Sequence, residues 1–243
     1  MIQGIDHLVI VVKDLDQATR DYRELGFNVV AGGQHPVGSH NVLIAFEDGS
    51  YLEIIAFYRE APDHRWWEPL SKGERFVDFC FQTDDLRGDT KKLRDAGVAI
   101  NDPVPWARKR PDGYELKWLL SLVTGSQRGV APFLIEDLTP RSERVPQNFE
   151  HPNQVTGIER VTLAASELES IEKWYSSLLA KKPKAITSAE LDAEGLCFNV
   201  GASHPGIFRF ARPIEPCGKL APSIWSIPLL CCPQSQRLRS KAP

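Results

Sequence analysis

One position on a repeated strand changes from an imidazole to a carboxylate to a guanidinium. The segment GIDHLVIVVKDL recurs along the chain as ERFVDFCFQTDDL and, more loosely, as GIERVTLAASEL. When the polar turns that end these segments are aligned, the changing position holds His7, Asp78 and Arg160. Imidazole and carboxylate groups can bind a metal ion or move a proton, whereas a guanidinium group only donates hydrogen bonds. We therefore expect the chemistry of this protein at this position.

A second ionisable group lies in an apolar run. Glu53 is flanked by Leu52, Ile54 and Ile55, and burying an unpaired carboxylate among such residues is costly. Glu53 is thus either a functional group or half of a buried pair with an Arg or Lys. His7 also stands in an apolar strand, where a lone histidine is either a ligand or a hydrogen-bonded core residue.

The elements around the repeated strand follow the order β-α-β-β-β. In the first copy, Asp14 is suited to cap the helix after the strand, and Gly26 is suited to end it. Three strand-like runs follow, and Asp48-Gly49 predicts a hairpin between the last two. The second copy repeats this order, and the third does so with one uncertain strand, KPKAITSAEL.

This repetition divides the chain into modules. Composition alone allows one large domain or two small ones in 243 residues. The repeats predict module one at 1–60, module two at 73–140, a polar linker at 141–156, a third module at 157–212, and a Pro-rich tail at 213–243 that is poorly ordered or held extended against its own domain.

Charge and composition exclude several classes of partner. A formal net charge of −3 gives no basic field for nucleic acid. No run approaches the roughly 18 apolar residues of a membrane span, and the N-terminus has no signal-peptide pattern. The five cysteines are odd in number and lack metal-ligand spacing, which predicts reduced thiols in a cytoplasmic protein, with redox or metal function as the alternative for the adjacent pair. They are Cys80, Cys197, Cys217, Cys231 and Cys232.

Modules of this order, with a histidine or carboxylate in the first strand and a glutamate in the last, resemble the vicinal oxygen chelate superfamily. Module one is similar to its glyoxalase-like domains in three motifs: GIDH at 4–7, GSHN at 38–41 and YLE at 51–53. The resemblance covers residues 1–140 well and the third module more loosely. It implies an α+β fold in which two βαβββ modules pair into a cup-shaped mixed sheet, with a third partial module beside them.

The resemblance also implies a metal site. Each of the two modules would give one ligand from its first strand and one from its last: His7 and Glu53, then Asp78 and Glu136, with LIE at 134–136 aligned to YLE. One imidazole and several carboxylates suit a divalent ion such as Zn, Ni, Mn or Fe(II). As alternatives, Asp78 could cap or pair structurally, and Glu136 could begin an exposed segment.

The third module departs from this pattern. Its two matching positions hold Arg160 and Arg209, which cannot bind a cation, so a metal site would belong to the first two modules. A single histidine in the ligand set also argues against extradiol dioxygenase chemistry, which uses two histidines and one glutamate in this superfamily. An unpaired half-cup would expose sheet, and either a homodimer or the tail could cover it.

The rim of the cup supplies the candidate substrate contacts. Within the GSHN motif, His40 and Asn41 are expected to touch substrate, while His35 is expected in an exposed loop. Trp66 and Trp67 are expected to pack between modules rather than to form a lid. The basic run at 108–110 is either a solvated face or, on the rim, an attraction for an anionic substrate.

Two functions from different classes follow. The first is a metal-dependent isomerase or lyase acting on a small oxygenated metabolite, with the ion as Lewis acid and Glu53 or Glu136 as base. The second is a non-catalytic protein of the bleomycin-resistance kind that binds a small molecule in the same cup. Four converging ligand groups would favour the enzyme, and an aromatic cleft with scattered carboxylates would favour the binding protein.

Overall fold

An eight-stranded mixed sheet forms the main layer of the computed structural model, which describes residues 1–110, 112–165, 167–188, 193–200, 206–213, 223–226 and 229–231. The strand order is β2-β3-β4-β1-β5-β8-β7-β6. The strands are β1 (Ile2–Val11), β2 (Val30–Gln34), β3 (Ser39–Ala45), β4 (Tyr51–Phe57), β5 (Arg75–Thr83), β6 (Val104–Lys109), β7 (Glu115–Ser121) and β8 (Phe133–Asp137).

The pairing in this sheet confirms the predicted α+β fold of βαβββ modules. In module one, β1 and β4 pair in parallel, and in module two β5 and β8 pair in parallel. The two first strands, β1 and β5, pair antiparallel at the centre. The sheet curls into a half-barrel, so the two modules share one concave face.

The three longer helices cover the other face of the sheet, whereas the two short helices supply residues to the concave side. Asp14 caps the first helix by accepting a hydrogen bond from Gln17 N at 2.9 Å, and Asp85 caps the third by accepting one from Gly88 N at 3.0 Å. Two short helices, the second and the fourth, were not predicted. The helices are α1 (Leu15–Glu24), α2 (Trp67–Ser71), α3 (Leu86–Asp95), α4 (Arg141–Arg144) and α5 (Leu168–Leu179). Among the described residues, no helix is long and apolar enough to span a membrane.

The third module forms a second, five-stranded sheet in the order β11-β12-β13-β10-β14, and β15 pairs with β9. Strand β10 pairs in parallel with β13 and antiparallel with β14, as β1 does with β4 and β5. Part of the predicted tail therefore lies along the edge of β10; most of its remainder lies outside the described residues. The strands are β9 (Val155–Ile158), β10 (Arg160–Ala164), β11 (Lys184–Ser188), β12 (Ala193–Val200), β13 (Gly206–Pro213), β14 (Ser223–Ser226) and β15 (Leu229–Cys231).

The hydrophobic core lies between the helix-covered face of the large sheet and the third module. Phe81 of β5 meets Tyr175 of α5 edge-on, with ring centroids 6.2 Å apart, and the Tyr175 hydroxyl donates to the Val130 carbonyl at 2.7 Å. Helix α5 also packs against α3. Because this face is filled with apolar side chains, the concave face remains for a ligand.

Candidate functional site

The concave face of the large sheet encloses a cavity of about 140 Å³. Strands β1, β3 and β4 bring His7, Asn41 and Glu53 to it, and side chains of module two form the opposite wall. Most of the wall is apolar and aromatic. Five large rings line it: Tyr51, Trp66, Trp106, Trp118 and Phe133.

His7 is buried at this cavity and is held by its sequence neighbour. The pairing of β1 with β5 is irregular between Ile5 and His7, and a bulge of this kind changes the direction of a side chain. Asp6 lies at this irregularity, and its Oδ1 is 2.6 Å from His7 Nδ1. Because an ionised carboxylate only accepts hydrogen bonds, Nδ1 donates, and in the neutral imidazole Nε2 is therefore the nitrogen that carries the lone pair.

Asp6 is ionised although it is completely buried. Arg144 donates to it through Nη2 at 2.8 Å and through Nη1 at 3.1 Å, and Arg141 donates to it as well. Burial alone would raise the pKa of Asp6, but the two guanidinium groups hold that pKa well below its usual range. Helix α4, inside the predicted linker, thus fixes the tautomer and orientation of His7.

Glu53 faces the free nitrogen of His7. Strands β1 and β4 run in parallel with His7 opposite Tyr51 and Val9 opposite Glu53, so alternate side chains of both strands reach the cavity. Glu53 Oε2 lies 3.4 Å from His7 Nε2, and Oε1 accepts a hydrogen bond from Asn41 Nδ2 at 2.6 Å. The structure therefore brings together three residues predicted for the site.

Asp78 lies on the same face of the sheet as His7 and Glu53, but its carboxylate is paired with other residues. It sits opposite Val9 in the β1–β5 pair. Its Oδ2 accepts hydrogen bonds from Arg65 Nη2 at 2.6 Å and from the Trp66 indole nitrogen at 3.1 Å. This is the structural pairing that stood as the alternative to a ligand role, and it neutralises the carboxylate.

Glu136 lies on the opposite face of the sheet. Its neighbour Ile135 lines the cavity, and adjacent residues of a strand point to opposite faces. Glu136 Oε2 accepts a hydrogen bond from Leu86 N at 2.8 Å, at the first turn of α3. This position does not fit the predicted roles of ligand and base, because the carboxylate is separated from the cavity by the sheet.

The strand register explains this displacement. The caps Asp14 and Asp85 are 85 − 14 = 71 positions apart, which makes Asp78 the counterpart of His7. His7 pairs with Tyr51, while Cys80 pairs with Phe133. Extending that register back by two residues assigns position 131 to Asp78, so position 131 corresponds to Tyr51. The counterpart of Glu53 is therefore Phe133, and the alignment of LIE with YLE is three residues out of register.

The four predicted ligands thus do not surround one ion. Among the described residues, the group of three whose ligand atoms lie within 4.8 Å of one another is Asp6, His7 and Cys80. This trio fits a cation poorly, because two arginines already neutralise Asp6 and because burial raises the pKa of the Cys80 thiol well above its usual value. His7 and Glu53 fit better. Two ligands about 2.1 Å from a tetrahedral ion are about 3.4 Å apart, which is the separation of Nε2 and Oε2.

Of the two residues predicted to contact substrate, one lines the cavity and the other does not. Asn41 lines it, whereas His40 lies outside the lining and packs edge-on against Tyr58. Two other histidines, His35 and His64, line the cavity instead. Burial lowers the pKa of both, that of His64 to about 4, so both are neutral near pH 7. Trp66 N donates to His64 Nδ1 at 3.3 Å, which leaves the His64 proton on Nε2.

Sequence reasoning missed several residues of the site. Asp6 belongs to the GIDH motif, but strict alternation of side chains along β1 would place it on the face of the sheet away from the cavity. Trp106 and Arg108 lie two positions apart on β6 and share one face of the strand, and Trp118 on β7 pairs with Trp106. This period of two was a usable signal in the sequence. The pairing of Arg144 with Asp6 joins residues 138 positions apart, and no sequence pattern predicts it.

Comparisons with known proteins agree with this architecture. The model of the family described as "Glyoxalase-like domain" matches residues 5–179. A hypothetical protein from Staphylococcus aureus has a TM-score of 0.66 at 16% identity, covering 91% of this chain and 88% of the other. A triple mutant of 4-hydroxymandelate synthase from Streptomyces coelicolor has a TM-score of 0.63 at 15% identity, covering 99% and 74%. These two likenesses show the fold alone.

A third similar structure is shorter. Methylmalonyl-CoA epimerase from Streptomyces coelicolor, in complex with 2-nitronate-propionyl-CoA, is 26% identical with a TM-score of 0.45, and the match covers 57% of this chain and all of the other. No curated protein matches the sequence.

Proposed function

The chain belongs to the glyoxalase-like domain family of the vicinal oxygen chelate superfamily, and on that premise we propose that it catalyses proton transfer on a small oxygenated metabolite. The reaction would be an isomerisation or an elimination. One observation carries the proposal: His7 is buried at the cavity, its Nδ1 is held by an ionised Asp6, and its Nε2 faces Glu53. A base must be held within reach of its proton, and this arrangement presents one lone pair to a bound molecule.

The proton has a defined path in this arrangement. Nε2 of His7 accepts it from the substrate and returns it to a neighbouring atom. In between, the imidazolium lies beside two carboxylates, Asp6 at Nδ1 and Glu53 at Nε2, and both favour the charged form. Asn41 holds Glu53 in place through Oε1. The aromatic walls exclude water, which strengthens these interactions.

A metal-anchored variant of the same reaction is the second candidate. The 3.4 Å separation of His7 Nε2 and Glu53 Oε2 favours it, because it equals the spacing of two ligands on one ion. Zn, Ni, Mn or Fe(II) would be held by these two residues, with waters or substrate oxygens completing the coordination. Such an ion supplies Lewis-acid stabilisation of charge on a substrate oxygen.

Binding without catalysis is supported by a different observation. The cavity walls are aromatic, Asp78 is neutralised by Arg65, and Glu136 lies across the sheet. These features fit the predicted alternative of a cup that sequesters a small molecule. A cytoplasmic location belongs to the same set of proposals and rests on composition. Assembly as a homodimer also remains a proposal, although β14 of the predicted tail covers the edge of β10 on which the half-cup argument relied.

One experiment separates these possibilities. Chelator-treated protein, with and without added divalent metal, is incubated in deuterated water with a panel of small 2-oxo and 2-hydroxy acids and aldehydes, and hydrogen exchange is followed by NMR. We expect exchange that falls about 10²- to 10⁴-fold in His7→Gln, the usual contribution of a general base. His40→Gln, outside the cavity, is the matched control.

The outcomes point in different directions. Exchange without metal supports His7 as base. Exchange that needs metal, with about one ion per chain lost in His7→Ala and in Glu53→Ala, supports the anchored variant. Exchange that is equally fast in His7→Gln and the parent contradicts both. Tight binding of a panel member with no exchange under either condition supports the binding protein.

A further inference from the structure

Arg108 spans the open side of the cup. It lies on β6, and its Nη1 donates to the carbonyl of Gly32 on β2. These strands are the two opposite edges of the eight-stranded sheet. The side chain therefore bridges the rim of the half-barrel, and its guanidinium group lines the cavity.

Arg108 differs from the other arginines of the cavity in its partners. Arg65 is paired with Asp78, and Arg144 is paired with Asp6 and with Asp137. Within the part of the chain that the structure describes, Arg108 has no carboxylate at ion-pair distance, and its hydrogen-bond partner is a neutral carbonyl. A guanidinium group has five N–H donors and stays charged in proteins. Most of the donors of a half-buried cation are thus available to a ligand.

The backbone around Arg108 leaves room for this group. A Cβ atom at Gly33 would lie 3.4 Å from Arg108 Nη1, and Gly33 has a φ of 142°, a conformation that side chains rarely adopt. A Cβ atom at Gly32 would collide with Asn41 Oδ1. At this irregular point of β2, Gly32 thus permits the close approach of Asn41, and Gly33 permits a backbone conformation beside Arg108 that side chains rarely adopt.

The charges and walls of the cavity define what would fill it. Glu53 is the one carboxylate among the described residues that line it, and Arg108 is the one lining arginine without a carboxylate at ion-pair distance. The walls that module two contributes to the same cavity include the rings of Trp106, Trp118 and Phe133. A volume of about 140 Å³ compares with the roughly 150 Å³ of a protein cavity that holds one benzene ring. A ligand of about this volume with a single negative charge would fit both the charge of Arg108 and the aromatic walls.

We propose that the cavity selects a compact apolar acid whose carboxylate is bound by Arg108 and whose body packs among the three rings. This inference rests on the proposed function, because it names the substrate class for the same cavity. The planar fork of the guanidinium group matches a carboxylate in two parallel hydrogen bonds. Binding would also remove the cost of a half-buried cation without an anionic partner.

A second, more open cavity adjoins the inner one. It has a volume of about 500 Å³ and shares His64, Arg65 and Trp106 with the inner one. Its outer wall carries Arg59 and Asp63, charges of both signs that solvent screens. Selection by charge is therefore assigned to Arg108 at the inner cavity and not to the outer one.

Calorimetric titration with phenylacetate and with phenylacetamide tests this selection, because the two probes differ in charge and hardly in shape. We expect the parent to bind phenylacetate about 10- to 100-fold more tightly than phenylacetamide, as one charge-assisted contact contributes. Arg108→Met removes that preference, and Arg108→Lys retains part of it. Lys109→Met removes the same charge from an exposed neighbouring position and keeps the preference.

Three results would overturn the inference: equal affinity for the two probes in the parent, an undiminished preference in Arg108→Met, or no binding of either probe at millimolar concentration. The titration needs no turnover, so it is independent of the proposed reaction. If only the reaction is wrong, the preference depends on Arg108 while hydrogen exchange is unaffected by His7→Gln. If only the inference is wrong, exchange depends on His7 while Arg108→Met leaves the preference intact.

Discussion

Replacing Asp6 by asparagine removes one charge from a site with no access to solvent. Asp6 is fully buried and receives hydrogen bonds from Arg144 at 2.8 and 3.1 Å, from Arg141 and from His7. Arg144 is itself buried, and its remaining ionic partner is Asp137. In Asp6→Asn the amide cannot balance the two guanidinium groups, so part of their charge stays buried without compensation.

The expected loss of stability is large. Breaking a buried ion pair by removing one partner costs about 3–5 kcal/mol, a sizeable share of the roughly 5–15 kcal/mol that stabilises most proteins. For a chain of this length each 1 kcal/mol shifts the melting temperature by about 2–4 °C, so we expect a decrease of about 6–20 °C. The loss of stability should be larger at neutral pH than in acid. The depressed pKa of Asp6 stabilises the fold at pH values above the pKa of this group in the unfolded chain, and this contribution disappears as the pH falls.

The assay is urea unfolding followed by circular dichroism, with Asp95→Asn as the matched control. Asp95 makes an exposed pair with Lys91 on α3, and such pairs contribute less than about 1 kcal/mol. The double variant Asp6→Asn/Arg141→Met should recover part of the loss, since it removes one of the two guanidinium groups that Asp6 balanced and leaves Arg144 paired with Asp137. A cost for Asp6→Asn no greater than that of Asp95→Asn would refute the reasoning.

Two further predictions concern pH and the helix-facing glutamate. Burial lowers the pKa of His64 to about 4, so between about pH 6.5 and 4 the unfolded chain binds a proton that the folded chain does not. The free energy of unfolding should therefore decrease as the pH falls through this window, and less steeply in His64→Leu; equal slopes in urea titrations would contradict this. Glu136→Gln should cost about 0.5–2 kcal/mol at the start of α3 and leave metal content and ligand binding unchanged, and a lost ligand would show that Glu136 acts in the cavity.

Much of the fold was predictable because its signals are local. The strand pattern, the helix caps and the hairpin at Asp48-Gly49 each depend on a few neighbouring residues. The family resemblance then implied that side chains of the first and last strands of a module meet, as the pairing of β1 with β4 allows. The meeting of His7 with Glu53 and Asn41 follows from that pairing, since all three lie on strands of module one. Contacts within one module can therefore be predicted about as well as the strands that carry them.

The rest of the site depends on geometry that is not local. The irregularity in β1 that turns Asp6 toward His7 appears where β1 pairs with β5, a strand about 70 residues away. Helix α4 forms in a segment that reads as a polar linker, and it is held by ion pairs from Arg141 and Arg144 to Asp6. Neither partner of such a pair predicts the other from the sequence.

The position of Glu136 outside the cavity indicates different contributions from the two modules of the cup. A shift of three residues in an alignment of apolar strands changes the face on which a side chain lies, and Phe133 rather than a carboxylate stands opposite Glu53. Asp78, the remaining acid of module two on this face, is neutralised by Arg65. Module two therefore contributes rings and the unpaired charge of Arg108, whereas module one contributes His7 and Glu53. In the proposed reaction and binding mode, the reacting groups lie on one half of the cup and the recognition groups on the other. A substitution in β6 or β8 should therefore change which ligand binds before it changes proton transfer by His7.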